Sequence, residues 1–204
     1  MKRNAKKQPE LSQETICAAA LRLIDEEGLD AFSTRKLGRA LGCEAMAIYW
    51  YYPSKDALLD AVVDLLMANV AAVVDGRGGW IATLRAVAHA YRQIAHDHPR
   101  AFPLLATRRF ASEDTHRFLE ALFELARAQG IDDRVTARYY RVVSSYCSGF
   151  ALNELASPAG GATLRRKFTR VDAVSSWLAP EHLDDVFSFG LEIQLSALAK
   201  EQGR

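Results

Sequence analysis

The sequence predicts an all-α fold, and three observations carry that prediction. Strand signals are almost absent. Apolar residues recur at intervals of three and four from Ile16 to Leu198, the spacing that places them on one face of a helix. Ser12, Ser33 and Ser54 stand before such stretches as N-caps, Gly28 and Gly42 follow them, and Pro53, Pro99 and Gly130 punctuate the chain. With 204 residues, half of them hydrophobic, the chain is long enough to bury a sizeable core. The expected organisation is an N-terminal three-helix helix-turn-helix module over residues 1–54 and a larger helical body over residues 55–204.

The first helix is expected from about Gln13 to Glu27, capped by Ser12, stopped by Gly28, and turning Ile16, Ala19, Ala20, Leu23 and Ile24 inward. A second starts at the Ser33 cap with Leu37, Ala40 and Leu41 on one face. Gly42 supplies the turn into a third, from about Glu44 to Tyr52, which keeps Ile48 and Tyr52 inward and Ala45, Met46, Ala47 and Tyr49 outward. Pro53 ends it, because proline biases the preceding residue away from helix. A long helix then runs from Ser54 to about Asp75, presenting Leu58, Ala61, Val62, Leu65 and Leu66 until Gly76, Gly78 and Gly79 break it. Further helices are expected over Trp80–Asp97, Ala101–Arg108, Ser112–Gln129 and Asp133–Leu155. A loop from Ala156 to about Arg170 holds Pro158, Gly160 and Gly161, and a last helix runs from about Pro180 to Lys200.

Two of these helices are apolar on many sides. Val135, Tyr139, Val142, Val143, Tyr146, Phe150 and Leu152 surround one; Phe187, Phe189, Leu191, Ile193, Leu195 and Leu198 surround the other. They predict a homodimer joined by a four-helix interface of this pair and its symmetry mate, with Gly149 and Gly190 allowing close approach. Deep burial within one chain is the alternative.

Charge directs the first module toward nucleic acid. Between Ser33 and Lys55, Arg35, Lys36, Arg39 and Lys55 oppose only Glu44, and Lys2, Arg3, Lys6 and Lys7 form an uncompensated basic tail. Because the formal net charge is only +1, affinity for a phosphate backbone has to come from such local patches. An ordinary helical hairpin shares the geometry but does not call for that charge.

Cys17, Cys43 and Cys147 are odd in number and widely spaced, which argues against a disulfide framework or a zinc site and for reduced, mostly buried thiols. The sequence lacks a secretory pattern and any apolar run near the roughly 20 residues that span a bilayer, so a cytoplasmic protein without membrane contact is expected. An enzyme is the main competitor from another class, but Ser144, Ser145 and Ser148 have no histidine placed beside them, and no nucleophile elbow or H-E-x-x-H pattern is present. His89 and His96 are seven apart on one helix face, a spacing equally suited to structural residues. No catalytic residue, metal or cofactor is expected.

The segments Phe32-Ser-Thr-Arg-Lys-Leu, Leu41-Gly-Cys, Ile48-Tyr-Trp-Tyr-Tyr and Lys55-Asp-Ala-Leu-Leu-Asp-Ala resemble the tetracycline-repressor (TetR) family of bacterial transcription regulators. The likeness is firm from Ser12 to about Ala61. Phe187-Ser-Phe-Gly-Leu-Glu and the Tyr146–Leu152 stretch look like the C-terminal domain of the tetracycline repressors. The resemblance implies a homodimer whose recognition helices enter successive major grooves of palindromic, double-stranded operator DNA, and a small effector in the body that spreads them. It implies Thr34, Tyr49 and Lys55 on phosphates and Arg35 on a base edge or phosphate. Lys36, Ala45, Met46, Ala47 and Tyr51 complete the DNA-binding candidates.

Departures from the tetracycline repressors are chemical. Ala45, Met46 and Ala47 replace a glutamine-proline-threonine trio; they can touch thymine methyl groups but cannot donate to base acceptors, so the operator sequence should differ. Glu44 suits either a cytosine amine or the plainer role of complementing a helix dipole. Ala71, Val87, Leu105 and Leu122 fall where a tetracycline pocket has histidine, asparagine, histidine and glutamine, so an apolar or aromatic effector is expected instead. Candidate lining residues are Met67, Trp80, Leu84, Tyr91, Phe102, Leu105, Phe118 and Tyr140. An aromatic stripe of this kind equally describes plain core, and a DNA-binding helical protein without an effector is the corresponding alternative.

Overall fold

The computed structural model describes residues 11–108, 112–156 and 168–202; the basic tail and the Pro158, Gly160 and Gly161 cluster lie outside them. The described residues form ten α-helices, one 3-10 turn at Pro180–His182, and no strand. In chain order the helices are α1 (Gln13–Glu27), α2 (Thr34–Leu41), α3 (Ala45–Tyr49), α4 (Lys55–Ala72), α5 (Gly79–Asp97), α6 (Phe102–Thr107), α7 (Glu113–Ala128), α8 (Asp133–Leu155), α9 (Thr169–Val174) and α10 (Leu183–Gln202). Two compact units result. The first gathers the chain up to Ala72 with Ile94–Glu120, and the second Val73–Gln93 with the chain from Ala121 onward.

In the first unit, α1 packs on α2 and α4. Ser12 closes a capping box: Thr15 N donates to its hydroxyl at 3.2 Å, and its own N–H donates to the Thr15 hydroxyl at 2.8 Å. Gly28 then takes a positive φ of 88°, which ends α1 at little steric cost. On α2, Leu37 is buried as expected but Ala40 is exposed. The close approach to the following segment falls on buried Gly38 instead, where a Cβ would meet the Cys43 carbonyl oxygen at 2.8 Å and Ala45 N at 3.2 Å. Gly42 makes the left-handed turn expected of it.

Ser54 caps α4, its hydroxyl accepting from Ala57 N at 3.0 Å. The buried stripe of α4 runs Leu59, Val62, Val63, Leu66 and Val70. Leu65 was expected inward but is exposed, since it lies about 100° round the helix from Leu66 at the stripe's centre. Polar contacts hold the remaining segments of this unit to α1 and α4. His98 Nδ1 lies 2.8 Å from Asp25 Oδ2, Arg100 donates to the Glu26 carbonyl, and Arg108 binds Asp60 at 2.8 Å and also reaches Asp56.

In the second unit, α8 packs on α10. Val143, Cys147 and Ala151 are buried on α8, and Phe187, Leu191, Leu195 and Leu198 on α10. Gly190 lies against Tyr146, whose Cζ would be 2.7 Å from a Cβ there. That glycine therefore serves packing within the chain. Segment α9 was expected partly as loop; its short helix has no side-chain cap and buries no residue, so it carries no amphipathic signal.

Candidate nucleic-acid interface

Helix α3 packs on α2, and the segment that follows it is tied to the start of α1. Ile48 and Tyr52 are buried, the Tyr52 hydroxyl donates to the Gln13 carbonyl at 2.9 Å, and the Tyr51 hydroxyl donates to the Leu11 carbonyl at 2.8 Å. Burial pushes the Tyr52 phenol up to about 12 and the neighbouring Cys17 thiol up to about 11, so both stay neutral parts of the core. The opposite side of α3 is open: Met46 is 69% exposed and Trp50 is 89% exposed.

The candidates from sequence divide by what their polar ends touch. The hydroxyls of Thr34 and Tyr49 lie 3.2 Å apart, which ties the start of α2 to the end of α3 on an exposed surface. Arg35 is exposed, while Lys36 Nζ pairs with Glu27 Oε2 at 2.5 Å. Lys55 is exposed but reaches back, donating to the Phe32 carbonyl at 3.1 Å and sitting 5.3 Å from the centre of the Phe32 ring. Ala45 and Ala47 are half-buried beside Met46, and Tyr51 is half-buried with its hydroxyl spent on Leu11. Exposed Trp50 and Arg39 were not among the candidates. Trp50 had a signal, standing four residues after Met46 and so on the same helix face.

The effector candidates fall in both units. Met67, Phe102, Leu105 and Phe118 belong to the first; Trp80, Leu84, Tyr91 and Tyr140 belong to the second. Phe102, Leu105, Phe118, Trp80 and Leu84 are buried. The Tyr91 hydroxyl is 3.1 Å from that of Ser148, and Tyr140 meets Phe123 edge-on at 5.3 Å. The Trp80 indole N–H is buried without a hydrogen-bond partner among the described residues, as is the Thr136 hydroxyl.

The surface of the α8–α10 pair is sorted differently from the sequence expectation. Val142, Val186, Phe189 and Ile193 are exposed, Phe189 to 69% and Ile193 to 56%, and exposed Gly149 has open space before it. Leu191, expected at the interface, is fully buried within its own chain. On α10 it falls in the Phe187–Leu191–Leu195 stripe that faces α8.

The profile of bacterial regulatory proteins of the tetR family matches residues 16–62, and that of the tetracyclin repressor-like C-terminal domain matches residues 74–201. The chain belongs to the TetR family. An HTH-type transcriptional regulator of Saccharopolyspora erythraea is 29% identical over 147 residues, which are 72% of this chain but only 62% of that relative's length. The class G tetracycline repressor protein of Vibrio anguillarum is 27% identical over 89% of this chain and 90% of its own. A crystal structure of a possible TetR family transcriptional regulator from Streptomyces coelicolor A3(2) superposes with a TM-score of 0.80 at 28% identity, covering 93% of this chain and 99% of that one.

The family is one of bacterial regulatory proteins, and the relatives matched are transcription regulators rather than enzymes. No helix among the described residues is long and apolar enough to cross a membrane. Of the four positions set against a tetracycline pocket, Leu105 and Leu122 are buried, Val87 is half-buried and Ala71 is exposed. None brings an imidazole or an amide.

Proposed function

We propose that the chain is a homodimeric repressor that binds a palindromic operator through α3 and is released by a small apolar or aromatic effector. The open face of α3 carries this reading, because exposed Arg35, Arg39 and Lys55 stand on the segments either side of it in sequence. Its opposite side is fixed by buried Ile48 and Tyr52 and by the hydrogen bonds of Tyr51 and Tyr52 to Leu11 and Gln13. Thr34, Tyr49 and Lys55 are the proposed phosphate contacts, Arg35 a base or phosphate contact, and Ala45, Met46 and Ala47 the groove surface. Lys36 and Tyr51 act behind them, through Glu27 and Leu11. The functional division falls between residues 54 and 55.

The exposed stripe of Val142, Val186, Phe189 and Ile193 supports assembly, since a contiguous apolar face of this kind is costly in water and a symmetry mate covers it. The buried, unpartnered Trp80 indole N–H supports the effector: a donor left unsatisfied costs about 1–3 kcal/mol, which a ligand acceptor would relieve. The test is fluorescence anisotropy of the full chain with DNA flanking its own gene, titrated with a panel of hydrophobic aromatic compounds. Sequence-specific binding reversed by one of them is expected. Binding that no sequence competes for would refute operator recognition.

A further inference from the structure

We infer that this chain reads its operator through thymine C5-methyl groups, with Met46 and Trp50 as the reading side chains; the inference rests on the operator binding proposed above. Ile48 on α3 and Tyr52 just beyond its end, four residues apart and joined by a Tyr52 N–H bond to the Ile48 carbonyl at 3.0 Å, form one buried stripe. Met46 and Trp50 form a second stripe with the same spacing. At about 100° per residue it lies roughly opposite the first. The backbone remains right-handed helical through Trp50, at φ −68° and ψ −28°, so the second stripe is continuous.

The chemistry of that outward face is almost entirely apolar. Ala45 and Ala47 flank Met46 with methyl groups, short enough to let the helix seat deeply in a major groove. The Tyr49 hydroxyl lies off this stripe, 3.2 Å from that of Thr34, and the donor on the stripe itself is the indole N–H of Trp50. Thymine is the base that offers a methyl group at the major-groove edge, whereas adenine and guanine offer acceptors that Met46 cannot satisfy and cytosine offers an amine. Exposed apolar groups of this size could also meet a protein, but the surroundings favour DNA. From Ser33 to Lys55, four cations stand against one anion.

The experiment selects operators from a random duplex pool with the full chain, then replaces each thymine of the selected duplex singly by deoxyuridine, which removes only the methyl group. One or two positions per half-site should lose affinity by about fourfold, and roughly fifteenfold when both half-sites are changed, the value of one buried methyl group and of two. Met46→Ala should abolish the thymine-over-uracil preference at one such position and Trp50→Ala at another, while Met46→Leu, which keeps an apolar contact, should retain it. Both residues are exposed, so circular dichroism should report an unchanged fold. Equal affinity for thymine and uracil at every position would overturn the inference, as would alanine variants that keep the full preference. A pool that enriches no sequence would overturn operator binding itself.

Discussion

Replacing Arg92 by methionine should cost the second unit a large part of its stability. The Arg92 side chain is 8% exposed, and its Nη2 and Nε donate to the two carboxylate oxygens of Glu154 at 2.6 and 2.9 Å. Its third contact is with Asp184 at 2.8 Å, and the guanidinium carbon lies 4.8 Å from the centre of the Phe187 ring. The hydrogen bonds that it donates to Glu154 hold the guanidinium above its ordinary pKa despite burial. Methionine fills similar space but takes the guanidinium away from the Glu154 carboxylate, which is 13% exposed, and from the Phe150 and Phe187 rings. Breaking a buried pair in this way costs about 3–5 kcal/mol, against a total of about 5–15 kcal/mol for a typical domain. Asp184 is 84% exposed, so Asp184→Asn should cost no more than about 1 kcal/mol. The double variant Arg92→Met/Glu154→Leu removes both ions and should recover most of the loss. Urea unfolding followed by circular dichroism measures the three variants and the parent, at one protomer concentration because assembly adds to apparent stability. If Arg92→Met fell within about 0.5 kcal/mol of the parent, the range of ordinary surface changes, the buried-pair argument would be wrong.

At the DNA face, Lys55→Ala should weaken binding across sequences and make the logarithmic salt slope shallower by about 1, and Arg35→Ala should weaken it without unfolding; an unchanged slope removes Lys55 from the phosphate contacts. On α10, Phe189→Glu should give a folded monomer by sedimentation, whereas Leu191→Asp, which buries a charge inside the chain, should unfold it; a dimer that survives Phe189→Glu would place the interface elsewhere. Burial raises the Asp64 carboxyl, opposed by a hydrogen bond from Ser112 and reinforced by Asp114 and Asp60. The folded state therefore keeps that proton to higher pH than the unfolded chain, and stability falls as pH climbs from the ordinary aspartate range. Asp64→Asn should accordingly raise the melting temperature at pH 7.5 and not at pH 4; a loss at pH 7.5 would contradict this. Finally, magnesium with tetracycline at micromolar concentration should leave the protein–DNA complex intact in a gel shift, because Ala71, Val87, Leu105 and Leu122 supply no metal ligand, and release would show that those positions do not face the effector.

What could be read from the chain alone was what depends on near neighbours in sequence. The Ser12, Ser33 and Ser54 caps, the Gly28 and Gly42 stops, and the bounds of α1 and α8 follow from groups within four residues of one another, and the structure bears them out. Family membership was legible for a related reason, since the segments around Ser33, Tyr49 and Lys55 are short and contiguous. The α9 helix was missed because it lacks both a cap and a buried face.

Periodicity says that residues share a face, but not what that face meets. Only the tertiary structure turned Leu191 inward and Phe189 outward on a helix that is apolar all round, and only it set Gly190 against Tyr146, forty-four positions away. Likewise, only the tertiary structure brought the Tyr51 hydroxyl to the Leu11 carbonyl, forty positions away, and Lys36 Nζ to Glu27, nine positions away. Trp50 and Arg92 gained their meaning from the same source. A tryptophan left open to water and an arginine taken out of it are both set by which distant segments happen to pack nearby, and caps and periodicity carry no record of that.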